Sequence, residues 1–114
     1  MRTTLSTIAQ LLAAEIRAQD WSDAHTRSDG ARHDRGYDRT KSPTLSTEET
    51  ERVLVNVMWV AGQALLEDDP NFDIRAFAQA CGVPDGWLLN KRGDPNRGIE
   101  AGLRARRSRV VWDD

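Results

Sequence analysis

Cysteine, lysine and most aromatics are scarce in this 114-residue chain, which holds one Cys, one Tyr, two Phe and, against fourteen Arg, only two Lys. The lone Cys81 excludes an intrachain disulfide and points to a reducing compartment, so the cytoplasm is the expected location. Cys81 lies among apolar positions of helical spacing and is expected to be a buried structural thiol. No apolar run approaches the ~20 residues that cross a bilayer, and no membrane partner is expected. Gln10 and Glu15 interrupt the apolar stretch of the first twenty residues, which therefore lacks a signal-peptide core.

Several chemistries lack their signatures. No glycine-rich run ends in Lys-Ser or Lys-Thr, so there is no phosphate-cradling loop. The only histidines, His25 and His33, stand eight apart in a polar stretch beside Asp23, Asp29, Asp34 and Asp38. Zinc needs preorganised ligands at defined spacing, and this pattern does not supply them. No serine is placed with a histidine by any hydrolase motif. No metal, no cofactor and no enzymatic activity are expected.

The residues that are plentiful suit one soluble domain. Hydrophobic residues make up 39% and charged residues 30%, enough for one modest core under a polar surface. The excess of Arg over Lys, with frequent Ala and Asp, is the coding bias of a GC-rich genome. The net charge of -2 conceals an asymmetry. Residues 44–73 hold seven acids against Arg52, a net of -6, while residues 91–109 hold seven bases against Asp94 and Glu100, a net of +5. Either the two segments pair with each other, or the basic one faces an anionic partner.

Periodicity predicts helices. Leu5, Ile8, Leu12 and Ile16, with Leu11, Ala9 and Ala13 beside them, predict an amphipathic helix over 4–19. Such a helix needs a surface to cover its stripe. Residues 20–44 show no period and are rich in Asp, Arg, Ser, Gly and Thr, which predicts a flexible polar linker. Ser46 and Glu49 have capping-box spacing. Val53, Leu54, Val57, Met58, Val60, Ala61, Ala64 and Leu65 then give a wide apolar face to a helix over 47–67, the expected spine of the core. Asp73 is a cap for a helix over 74–81 that turns Ile74, Phe77, Ala78 and Cys81 inward. Shorter helices are expected over 85–91 and 95–108, the latter capped by Asp94 with Pro95 as its first residue. The organisation expected is an N-terminal helix at 1–19, a linker at 20–44 and a helical domain at 45–114 with a basic C-terminal helix. The fold class is all-α, a small helical bundle.

Ala78, Gly82, Val83 and Leu88 fall at the small, turn and apolar positions of a helix-turn-helix, which residues 74–92 resemble. The resemblance implies a steep helix corner and, further, DNA contact by the second helix. That helix starts Pro84-Asp85-Gly86, which departs from the pattern: Asp85 repels phosphate and Gly86 has no side chain for a base edge. Asn90, Lys91 and Arg92 are its candidate contacts. Arg97 is expected beside the turn with Lys91 and Arg92, and Arg104, Arg106, Arg107 and Arg109 are candidates for gripping phosphates. The run from Leu66 to Val83 looks like a segment of small proteins from actinobacterial phages and mobile elements, a group with no assigned chemistry.

Two classes of function compete. The first expectation is a non-enzymatic accessory protein that associates with DNA. The alternative is an inhibitor or adaptor that binds a host protein through Leu5, Ile8, Leu12 and Ile16, with Trp21 and Trp112 as interface aromatics. A structural homo-oligomer rests on the same N-terminal helix. Trp59 and Trp87 are expected to be structural.

Overall fold

The computed structural model describes residues 5–33 and 44–104. They form a small all-α bundle, and no strand occurs among them. Helix α1 spans Thr7–Ala18, α2 Thr47–Asp68, α3 Ile74–Ala80 and α4 Gly98–Ala101, with 3-10 turns at Trp21–Thr26, Gly30–Arg32 and Asp85–Trp87. None of the described helices is long and apolar enough to cross a membrane.

Local chemistry sets the helix starts. The Ser6 hydroxyl accepts from the Ala9 amide at 3.2 Å and opens α1 two to three residues later than the periodicity suggests. At α2 the capping box is complete: the Ser46 hydroxyl accepts from the Glu49 amide at 3.1 Å, and the Glu49 carboxylate accepts from the Ser46 amide at 2.9 Å. The backbone N–H of Ser46, with its hydroxyl, holds the Glu49 carboxyl below its ordinary pKa. Asp73 caps α3 by accepting from the Ala76 amide.

Phe77, Met58, Leu88, Ile99, Val55 and Cys81 are fully buried at the centre, where α1 and α2 both pack on α3. Small residues let α1 approach closely, since Ala9 and Ala13 point into the core with Ile16. Gly62 of α2 does the same for α3, because a Cβ there would stand 2.8 Å from Ile74 Cδ1. Phe72 packs edge-on against Phe77 at 5.5 Å. The apolar face predicted for α2 is wider than the face it buries. Val55, Met58 and Gly62 point inward, whereas Val60 is 75% exposed and Ala64 is exposed. Val53, Val57, Val60 and Ala64 share the helix face opposite Val55 and Gly62.

Helix α3 ends as the sequence predicts. Gly82 takes φ +88°, the Val83 amide donates to the Ala78 carbonyl at 3.0 Å, and Gly82 lies against the Arg17 side chain of α1. This is a glycine-terminated helix end with the long return bond. The segment after it is less helical than the sequence predicts. In place of a helix over 85–91 stands the three-residue turn Asp85–Trp87, and the chain then doubles back at a bridge between Leu89 and Pro95. The cause is Asn90, whose side-chain oxygen accepts from the Arg92 and Asp94 amides, with Gly93 at φ +82° closing the turn. Local side-chain bonds of this kind compete with helix. The last helix likewise shrinks from 95–108 to Gly98–Ala101 among the described residues, and Asn96 rather than Asp94 accepts at its start, from the Gly98 amide.

The stretch predicted to be a loose linker is ordered in its first part. Trp21–Thr26 packs on α2, and the Leu45 amide donates to the Ser22 carbonyl at 2.7 Å. Asp23 is 4% exposed. Residues 34–43, and the basic and apolar end at 105–114, lie outside the described residues.

Candidate functional site

Four of the basic candidates and Asn90 fall among the described residues, on the segment 90–104. Lys91 and Arg92 are exposed on the tight turn, with Arg97 exposed two residues past the bridge. Asn90 joins Lys91 and Arg92 there, but its side-chain oxygen is committed to the turn's own amides. A three-residue 3-10 turn is too short to lie along a major groove. Arg104 is exposed, and its amide donates to the buried Gln63 side chain of α2 at 2.8 Å. Arg106, Arg107 and Arg109 lie outside the described residues. Within the acidic segment Arg52 pairs with Glu48, and within the basic segment Glu100 pairs with Arg75 of α3.

The apolar candidates on α1 separate into two groups. Ile16 is buried, while Leu5 and Leu12 are half-buried against the core. Those three stabilise the fold. Ile8 is left 60% exposed. Leu11, which the sequence does not single out as an interface residue, is 59% exposed. A signal for it exists: in helical register Leu11 points away from Ala9 and Ala13. Trp21 is half-buried and donates its indole N–H to the Ile16 carbonyl at 3.0 Å, so it caps the end of α1. Trp112 lies outside the described residues.

Ile8, Leu11, Glu15 and Gln19 fall on one face of α1 at helical spacing. The C-terminal half of that face borders a shallow groove of about 250 Å³ walled by Ile16, Trp21, Gly30 and Ala31, with Glu15, Gln19 and Arg27 on its rim. The volume is below the roughly 300–1,000 Å³ of small-molecule sites. Its walls are almost wholly apolar.

A polar cluster without a sequence signature holds the groove's outer wall. Arg27 is the hub: its Nε meets Asp23 at 3.0 Å, its Nη1 meets Asp29 at 2.8 Å, and its Nη2 donates to Gln19 and to the Asp20 carbonyl. His33, its side chain 2% exposed, lies between the two carboxylates, with Nδ1 2.7 Å from Asp29 and Nε2 3.4 Å from Asp23. The Arg27 and His33 hydrogen bonds hold the Asp29 carboxyl down at about 2. Burial lowers the Arg27 pKa, but its bonds to Asp29 and Asp23 outweigh that and raise it. Among the described residues no three His, Cys, Asp or Glu side chains are grouped to hold a metal ion. In this cluster both carboxylates are already engaged by the guanidinium. The arrangement ties Gly30–Arg32 to the end of α1 and gives the groove a fixed wall.

Two other recesses are polar. One is lined by Arg75, Pro95, Asn96, Arg97 and Glu100, the other by Glu48, Glu51, Arg52, Gly86 and Trp87. In the first, Arg75 already binds Glu100 and the carbonyls of Leu88 and Asn96. Cys81 is buried, and burial pushes its thiol up to about 12, so it is no nucleophile. No family model, no curated protein and no solved structure matches this chain.

Proposed function

We propose that this chain is a non-enzymatic protein-binding module that docks through the outer face of α1. The observation that carries the reading is the excess of apolar surface on that helix. Ile8 and Leu11 are 60% and 59% exposed, and Glu15, Ile16 and Gln19 further along line the apolar groove. Single exposed apolar residues are ordinary; two neighbours one helical turn apart, on a helix whose other end borders an apolar recess, favour an interaction surface.

Association with DNA is the second reading, and the exposed Lys91, Arg92, Arg97 and Arg104 favour it. A photoactivatable cross-linking residue at Leu11, and separately at Arg92, tests both in cells. The docking reading expects discrete protein adducts from position 11 and none from position 92. Nucleic-acid adducts from position 92, with none from position 11, overturn it.

A further inference from the structure

One stripe of α2 turns away from the core. Val53, Val57, Val60 and Ala64 recur on it at helical spacing. Val53 and Val57 are half-buried, whereas Val60 is 75% exposed and Ala64 is exposed. The same end of the helix is crowded with acid. Its last turn holds Glu67 and Asp68, Asp69 follows, and no base stands among them. Carboxylates at the negative end of a helix dipole are unfavourable, and cations there are favourable.

The chain delivers its most basic run to this place. The Arg104 amide donates to the buried Gln63 side chain at 2.8 Å, and the same Gln63 side chain donates to the Glu67 carboxylate at 3.0 Å. Arg104 therefore passes one side chain away from Glu67. Gln63 is also one helical turn from Val60 and next to Ala64. Beyond Arg104 the sequence reads Ala105-Arg106-Arg107-Ser108-Arg109 and then Val110-Val111-Trp112, all outside the described residues. Six extended residues reach about 20 Å, and the stripe from Gln63 back to Val53 rises only about 15 Å.

We propose that residues 105–112 fold back on α2, with Val110, Val111 and Trp112 covering Val60 and Ala64 and with Arg106 and Arg107 set against Glu67 and Asp68. Three things pick out this occupant: where it leaves the body, how far it reaches, and a charge opposite to that of the helix end it meets. The inference is independent of the docking reading of α1. It makes the acidic and basic segments of the sequence partners of each other, and it takes up arginines that a duplex would need.

Fluorine NMR of the full chain, grown with fluorinated tryptophan, tests this. Trp112→Phe identifies the Trp112 signal among those of the four tryptophans. A soluble paramagnetic agent should broaden that signal less in the parent than in Val60→Lys or Ala64→Lys, each of which sets a cation under the segment. Both positions face water, so thermal melting should show these variants folded. The ratio of docked to free segment should fall roughly tenfold, as expected for losing the burial of one apolar side chain. Arg106→Glu with Arg107→Glu should expose Trp112 as well. The protection should be the same at every protein concentration. A Trp112 as open in the parent as in the variants overturns the inference. So does protection that survives both lysine changes, which places the segment elsewhere, or that fades on dilution, which gives the stripe to a second copy. If Trp112 is open in the parent and the paired arginine change abolishes binding of a random-sequence duplex, the segment serves DNA and the inference falls.

Discussion

Trp59, in the middle of α2, donates its indole N–H to the carbonyl of Ile99 at 2.8 Å, joining residues forty apart in sequence. The bond fixes α4 against the core and lays the indole over Gly102. A Cβ on Gly102 would stand 2.0 Å from the Trp59 ring, and Trp59 packs edge-on against Trp87 at 6.5 Å. Gly102→Ala must therefore displace the indole or the backbone. Overpacking of this kind costs about 1–3 kcal/mol. Chemical denaturation followed by tryptophan fluorescence should show that loss. An unchanged midpoint would mean that the 98–103 segment moves freely and that Trp59 does not anchor it.

Arg75 is the second clamp on the same region. Its guanidinium donates to the Leu88 carbonyl at 2.7 Å and to the Asn96 carbonyl, and it meets Glu100 at 3.0 Å. One planar fork thus spans the start of the tight turn, its end and α4. Arg75→Ala takes the donor from the Asn96 carbonyl and one of the two donors from the Leu88 carbonyl, which keeps the Asn96 amide at 2.9 Å, at a cost of about 1–3 kcal/mol. Arg75→Lys should recover little of it, because an ammonium cannot reproduce the fork. Limited proteolysis should find the 89–97 turn cleaved faster in both variants. Equal resistance in all three proteins would count against the clamp.

The elements with local signals are legible in the sequence. Ser46 with Glu49, Asp73 and Gly82 each act within a few residues of themselves, and the structure places caps and stop where their spacing implies. The signals that fail are tertiary. Asp23, Arg27, Asp29 and His33 read as linker composition because a charge cluster closed on itself has no periodicity. The helix expected at 85–91 is lost to Asn90 and Gly93, whose turn bonds outcompete a weak helical pattern. On α1 the apolar stripe is plain, but which part of it the body leaves open depends on α2 and α3. Periodicity alone therefore does not separate the exposed Leu11 from its neighbours, and it offers Ile16 to an interface although Ile16 belongs to the core.

The Asp29 carboxyl couples this cluster to pH. Its bonds to Arg27 and then His33 lower it from 3.8 to about 2. A carboxyl depressed on folding stabilises the native state above its unfolded value, and that contribution is lost as pH falls through the folded one. The wall of the groove should therefore hold at pH 5 and loosen between about pH 4 and pH 2. Asp29→Asn should melt at a lower temperature than the parent at pH 6, and the two should converge near pH 2. A difference that persists undiminished at pH 2 would show that the carboxylate charge is not what ties Asp29 to its partners.

Cys81 provides a probe of global opening that is independent of the proposed interface. Its side chain is 1% exposed at the end of α3, and burial raises the thiol to about 12. The thiolate is the reactive form, so at neutral pH the native thiol is protected twice, by occlusion and by protonation. A disulfide exchange reagent should label native Cys81 only as fast as the core opens. The rate should rise on adding denaturant in step with the loss of tryptophan fluorescence. Gly102→Ala and Arg75→Ala should speed labelling only if opening at 98–103 spreads to α3, whereas Ile8→Glu with Leu11→Glu, at two exposed positions, should leave it unchanged. Rapid labelling of the native protein, insensitive to denaturant, would mean that Cys81 reaches solvent by a local motion and that the α1–α3 packing around it is looser than its burial implies.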